Sequence, residues 1–289
     1  EGAFLLLAWW FSRKVAVAAI PVPLGEMGRE AGALLKLGFA FMASGMLGMG
    51  AAYAVRLVVV RELGIEAAGL YQSAWTVGGL YVGFILQAMG ADFYPRVTAT
   101  AGDAEQSNRL VNEQTHTSLL LAGPGVLGTV TFAPVVVPLF YSAAFLDAVD
   151  LLRWLCLGVT LRVITWPLGF VIVAQARQST FLMVEVGYTL GYMALSWLGV
   201  GLLGLNGSGI AFFLSYVLHG MLVYPAVRRL TGFRWSVTNV RLAVSLLALV
   251  GAVFASFHVL PWWLATALGA VATAGTAAYS VRTLGQLVS

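Results

Sequence analysis

The chain alternates between apolar stretches of roughly 20 residues and shorter polar connectors. About 20 mostly apolar helical residues cross the hydrocarbon of a bilayer, so the stretches read as membrane spans. In order they are Leu37 to Val60, Ala67 to Ala91, Thr115 to Tyr141, Leu151 to Gln175, Thr180 to Leu203, Gly207 to Leu230, Val240 to Val259 and Pro261 to Val281. Ahead of them, Gly2 to Phe11 supplies only about half a span. The sequence opens on Glu1, so this half-span reads as the end of a truncated helix in a fragment of a longer protein.

The connectors carry their own expectations. Arg13 and Lys14 flank the first half-span, Pro21 and Pro23 break the chain, and Gly25 to Lys36 is a more polar link. Asp92 to Gln114 reads as the longest later loop, with Asp103 and Gln106 as a capping box opening a short amphipathic helix through Leu110 and Val111. Pro124, Pro134 and Pro138 predict breaks in the third complete span. The chain thus divides into residues 1–12, a helix end; 13–36, a connector; 37–230, six spans; and 231–289, a basic connector followed by a terminal pair of spans.

Composition agrees with the pattern. The chain is 60% hydrophobic and 10% charged, with mean hydropathy +0.89, whereas a soluble domain carries about 25% charged residues. The fold class expected is therefore all-α integral membrane. The 33 glycines suit closely packed membrane helices. A net charge of +4 does not point to nucleic acid, because the basic residues lie between apolar spans. It reports orientation instead. Arg13, Lys14, Arg29, Lys36, Arg96, Arg109, Arg177, the four arginines from Arg228 to Arg241, and Arg282 fall in alternate connectors on one side, against Arg61 and Arg153 on the other. The first side, with the C-terminus, is expected to be cytoplasmic. Cys156, the one cysteine, falls inside a span and permits no intrachain disulfide.

Candidate chemistry starts with Arg162, near the middle of its span. A cation there costs roughly 2.5–3.5 kcal/mol on insertion scales, so it turns away from lipid. Gly158, Arg162, Thr165, Trp166 and Gly169 share one helix face, and Pro167 predicts a kink beside it. Two readings stand: a structural arginine paired with Glu185 or backbone carbonyls, or an anion contact in a polar cavity. The planar guanidinium fork suits phosphate. Arg56 is the second cation at depth, as a snorkelling side chain or a cavity residue. Arg61 and Arg153 read as flanking charge. Glu185 shares a face with Tyr188, Thr189, Tyr192 and Ser196, and is the candidate for proton coupling. Gln72, Thr76, Gly79, Gly83 and Gly90 form another polar or small face, suited to sugar hydroxyls or to tight packing. His219 and Ser215 share a face, where a lone membrane histidine reads as a hydrogen-bonded structural group. Asp147 and Asp150 read as helix-cap residues.

Other chemistries lack their motifs. The sequence has no Walker loop, no HExxH and no carboxylate pair in a loop large enough to hold a sugar for hydrolysis. No catalytic residue, metal or cofactor is expected.

Several segments then resemble a known family. LGIEAAGLYQSAW (63–75), GADFYPRVTA (90–99), RLVNEQT (109–115), LLRWLCLG (151–158), RVITWPLGF (162–170) and LTGFRW (230–235) are similar to the oligosaccharide flippases, the Wzx-type O-antigen translocases of the MATE-like multidrug/oligosaccharidyl-lipid/polysaccharide superfamily. The resemblance runs from about Leu37 to Leu242. It implies two six-helix lobes related by a pseudo-twofold, of which this chain holds the inter-lobe connector (13–36), the C-terminal lobe (37–230) and two further helices. It also implies a bacterial inner-membrane protein that moves undecaprenyl-pyrophosphate-linked oligosaccharide from the cytoplasmic to the outer leaflet by alternating access. Its partners would be the lipid-linked oligosaccharide, membrane lipids, the N-terminal lobe and glycan polymerase machinery. Arg162, Arg56, Gln72, Thr76 and Tyr192 are the expected substrate contacts. A cation-coupled small-molecule antiporter of the same architecture is the alternative, and a membrane enzyme of glycan assembly a third. An antiporter of cations calls for acidic groups in the cavity, whereas two arginines stand here against Glu185.

Overall fold

The computed structural model describes residues 9–13 and 23–288. Residues 2–8 of the expected half-span and residues 14–22 of the 13–36 connector lie outside the described residues; the rest of that connector, read as a polar link, is helical from Leu24 and runs without a break into the first complete span. The chain divides into two compact units, Glu1–Phe39 and Ala40–Ser289. In the first, a helical turn is closed by Ser12 Oγ donating to the Trp9 carbonyl at 2.8 Å. Glu26 and Arg29 face each other one turn apart at 3.8 Å, the spacing that stabilises a solvated helix end.

The helices are α1 (Leu24–Leu63), α2 (Ile65–Ala99), α3 (Ala104–Phe140), α4 (Val149–Ala174), α5 (Gln178–Thr231), α6 (Val237–Val259) and α7 (Trp262–Val288), with a short 3-10 helix at Ala143–Ala148. Among the described residues no strand occurs, and seven helices are long and apolar enough to cross a membrane. The protein is all-α. The 54 residues of α5 would run roughly 80 Å if straight, far beyond one bilayer. Gly204 resolves this: its φ of 63° and ψ of −145° break the helix, a conformation that costs glycine little. The arms 178–203 and 205–231 fold back on each other. Gly187 faces Leu222, Gly191 faces Leu218, and Gly199 meets the Gly207 backbone with no room for a side chain on either. The expected fifth and sixth spans are these two arms.

Helix α4 is the centre of the second unit. It touches α2, α3, α5 and α6, and two thirds of its most apolar stretch is buried (67%). Val163, Leu168, Val171 and Ile172 are almost fully enclosed. Helices α6 and α7 pack chiefly on α3, where Gly128 of α3 faces Thr273 of α7 and Gly269 of α7 faces Thr131 of α3.

Two sequence expectations are corrected. The polar stretch from Asp92 to Gln114 is almost all helix: α2 runs to Ala99 and α3 begins at Ala104, leaving a tight turn. Ion pairs one turn apart support the polar helix ends, Asp92 with Arg96 at 3.1 Å and Arg109 with Glu113 at 3.2 Å. Asp103 caps α3 by accepting from the Gln106 N–H at 3.0 Å, as expected. The three prolines of α3 do not interrupt it. Pro134 removes the donor that the Val130 carbonyl would otherwise receive, and Arg153 supplies another from its Nε at 3.2 Å.

That contact also corrects the reading of Arg153 as flanking charge. It is 5% exposed, pairs with Asp150 at 3.0 Å and lies 3.7 Å from the centre of the Phe257 ring. One side chain therefore ties α3, α4 and α6 together.

Candidate functional site

Arg162, Trp166, Gly169, Phe170 and Val173 occupy one face of α4, at the spacing that brings residues four and seven apart onto one line. This face opens onto a cavity of about 320 Å³. The first arm of α5 adds Phe181, Glu185 and Tyr188, the second adds Tyr216 and His219, and α1 adds Phe41 and Ser44. The volume lies at the small end of ligand pockets. A second, smaller cavity of about 50 Å³ adjoins the other side of Arg162, lined by Trp75, Gly79 and Phe212.

The cavity carries one charge of each sign. Arg162 is half-buried, and among the described residues none forms an ion pair or hydrogen bond with its guanidinium; only its backbone carbonyl accepts, from Thr165 Oγ1 at 3.5 Å. The structural pairing with Glu185 is therefore absent. Glu185 instead accepts a hydrogen bond from Ser44 Oγ at 3.1 Å, joining α5 to α1. The cavity thus holds one cation with open donors and one carboxylate already partly satisfied.

The walls are aromatic. Trp166 and Phe170 meet edge to face at 4.6 Å, and Tyr188 contacts both Tyr216 (5.3 Å) and His219 (5.2 Å). His219 is held by Thr165, with Nδ1 and Oγ1 3.1 Å apart, so it is both a hydrogen-bonded structural group and a cavity wall. The lining thus offers aromatic faces, hydroxyl groups and a cationic guanidinium fork that can bind an anion.

The nominated residues divide. Arg162 and Glu185 meet in the cavity. Tyr192 stands one row behind it, buried, stacked on Tyr188 at 6.2 Å and paired with the Tyr71 hydroxyl at 3.3 Å. Gln72 and Thr76 bond each other along α2 at 3.3 Å and line no described cavity. Arg56 is exposed on α1, in line with Met42, Met46, Met49 and Tyr53, and lines none either. The sequence reading passed over Ser44, Phe41, Phe170 and Tyr216. Tyr216 was findable, since it lies three residues before His219 on the same face; Ser44 and Phe41 were not, because only the tertiary fold sets α1 against α5.

An all-α bundle of apolar helices around a half-buried arginine, with two further apolar helices on its flank, defines the class as a multi-pass membrane protein. Among solved structures the chain is similar to "Lipid II flippase MurJ, inward closed conformation", with TM-score 0.60 and 13% identity, over 85% of this chain and 53% of that one. The chain thus spans about half the length of that structure, and the likeness is one of fold. Residues 5–150 match the family described as polysaccharide biosynthesis protein. The chain belongs to that family, in agreement with the motif resemblance to the Wzx-type oligosaccharide flippases. Arg162 and Glu185 lie beyond the matched segment. No curated protein matches the sequence.

Proposed function

We propose that this chain is the C-terminal lobe, with two accessory helices, of a flippase for a lipid-linked oligosaccharide. The cargo is an undecaprenyl-pyrophosphate-linked O-antigen or similar repeat unit, moved from the cytoplasmic to the outer leaflet of the bacterial inner membrane. The protein is a transporter, not an enzyme, and its C-terminus is cytoplasmic. The observation that carries the reading is the unpaired guanidinium of Arg162, facing an aromatic cavity at membrane depth.

A pyrophosphate enters hydrocarbon only at great cost, because its charge leaves water. Arg162 replaces part of that lost hydration with charge-assisted hydrogen bonds, which are stronger away from water. The aromatic wall receives the first sugar, and the small volume leaves the rest of the glycan to the space between this lobe and the N-terminal one. Glu185 bears on the same anion. A bound pyrophosphate is repelled by its carboxylate and less so once that carboxylate carries a proton. Anion and proton therefore favour each other's binding, and this reciprocity is a route to proton coupling.

The test is Arg162→Ala in the full-length protein, with surface glycan measured in cells lacking the native copy. Loss of a charged hydrogen bond of about 1.5–3 kcal/mol predicts a fall in export of roughly ten- to a hundred-fold, with the protein still folded in the membrane. Arg162→Lys, a point charge without the fork, restores part of it. Normal export by the alanine variant would remove the anion role.

A further inference from the structure

A second candidate site lies away from Arg162, at the end of the bundle that carries the basic connectors. Three connectors meet there. Gln175 donates to the Ala101 carbonyl, Asn108 to the Thr231 carbonyl, and Asn112 to the Arg234 carbonyl. Beside them is a polar pocket of about 530 Å³, whose walls include Arg96, Gln114, His116 and Asn239. Gln114 is 7% exposed, yet its Nε2 has no hydrogen-bond partner. A buried amide donor in the wall of a pocket costs free energy while nothing accepts from it.

The pocket shares Thr238 with a groove of about 540 Å³ between α3, α6 and α7. The groove is floored by Leu119, Leu120, Leu246 and Leu249, and Arg241 stands at its basic-side end. No described residue pairs with Arg241. The acidic group in the pocket, Glu113, is paired with Arg109, and Arg96 is paired with Asp92. Arg241 is left as the open cation. Ser280, 4% exposed at the same end of the groove, also has an unpartnered hydroxyl. From Thr238 to Leu249 the helix rises roughly 16 Å, about half the thickness of the hydrocarbon core. An apolar channel one leaflet deep, with an exposed, unpaired arginine at its polar mouth and unpartnered donors buried in its walls, has the shape and charge of a lipid site.

We propose that pocket and groove together hold one anionic phospholipid from the leaflet on the basic side. Its phosphate lies toward Arg241 and the Gln114 amide, and an acyl chain lies along α6. The proposal does not depend on what the Arg162 cavity carries. The bound lipid would fill the splay between α6 and α7 and fasten this pair to α3.

The test uses native mass spectrometry of the full-length protein released from bilayers containing equal phosphatidylglycerol and phosphatidylcholine. The parent retains a single phosphatidylglycerol in preference. Arg241→Gln and Gln114→Leu each reduce that preference about tenfold, the value of one charge-assisted or buried hydrogen bond. Neither change breaks a side-chain bond seen in the structure. Gly275→Phe places a ring where a Cβ meets nothing within 4 Å, and blocks retention of either lipid. Equal retention of both lipids by the parent, or unchanged retention in the three variants, overturns the site as annular lipid. Displacement of phosphatidylglycerol by added C55 polyprenyl diphosphate, with the same sensitivity to Gly275→Phe, overturns the assignment in favour of cargo.

Discussion

Replacing Arg153 with leucine in a background where Pro134 is alanine tests how this bundle tolerates proline at membrane depth. Proline at 134 leaves the Val130 carbonyl without its helical donor. Arg153 Nε fills the gap at 3.2 Å, while its Nη1 reaches Asp150 at 3.0 Å and its plane lies 3.7 Å from the Phe257 centroid. A hydrogen bond from a charged donor contributes about 1.5–3 kcal/mol, and contact with the Phe257 face about 0.5–2 kcal/mol. The Asp150 pair adds about 0–1 kcal/mol, because the Asp150 side chain is 42% exposed and screened by water. Against these stands Nη2, buried without a partner at a cost of about 1–3 kcal/mol, which leucine removes. Arg153→Leu should therefore destabilise by about 1–3 kcal/mol. Pro134→Ala restores a backbone donor to Val130, so the same change in that background should cost about 0.6–1.5 kcal/mol less. The assay is reversible unfolding of the four proteins of the cycle in mixed micelles, followed by intrinsic tryptophan fluorescence. An equal cost of Arg153→Leu in both backgrounds would refute the idea that the arginine substitutes for the proline's missing N–H.

Two further outcomes follow from close approaches of helices. Gly207→Ala drives a methyl into the Gly199 carbonyl and should splay the arms of α5, losing about 2 kcal/mol or more of stability; a variant that unfolds at the parental midpoint would show that the hairpin needs no such contact. Gly90→Ala sets a Cβ 2.9 Å from the tip of Trp166, which can give way by shifting its ring. Stability should hold while glycan export falls several-fold, and unchanged export would remove Trp166 from the cavity's working surface.

The periodicity of the α4 face was legible because it is local. Arg162, Trp166 and Gly169 fall on one line whatever surrounds them, and the cost of a cation in lipid turns that line inward. Glu185 was legible for the same reason. The absence of an ion pair between the two was not, because it depends on Ser44, 141 residues away, drawing the carboxylate toward α1. Arg153 was misjudged because its position at the start of a span is also where flanking charge sits. Its burial comes from Phe257 and from a carbonyl freed by a proline on another helix.

By itself the sequence determined what lives in a few turns of chain: the number of apolar arms, the break between the two arms of α5, the cap at Asp103, and the face on which each charge sits. Backbone hydrogen bonds must be satisfied within each helix in lipid, so local pattern suffices for these. Which faces meet was decided only by the tertiary structure. Membrane helices associate through close packing and a few polar contacts, and the surrounding lipid is as apolar as their side chains. Apolar pattern alone therefore does not select partners, and the cavity, its open arginine and the phospholipid groove exist only once the helices are placed.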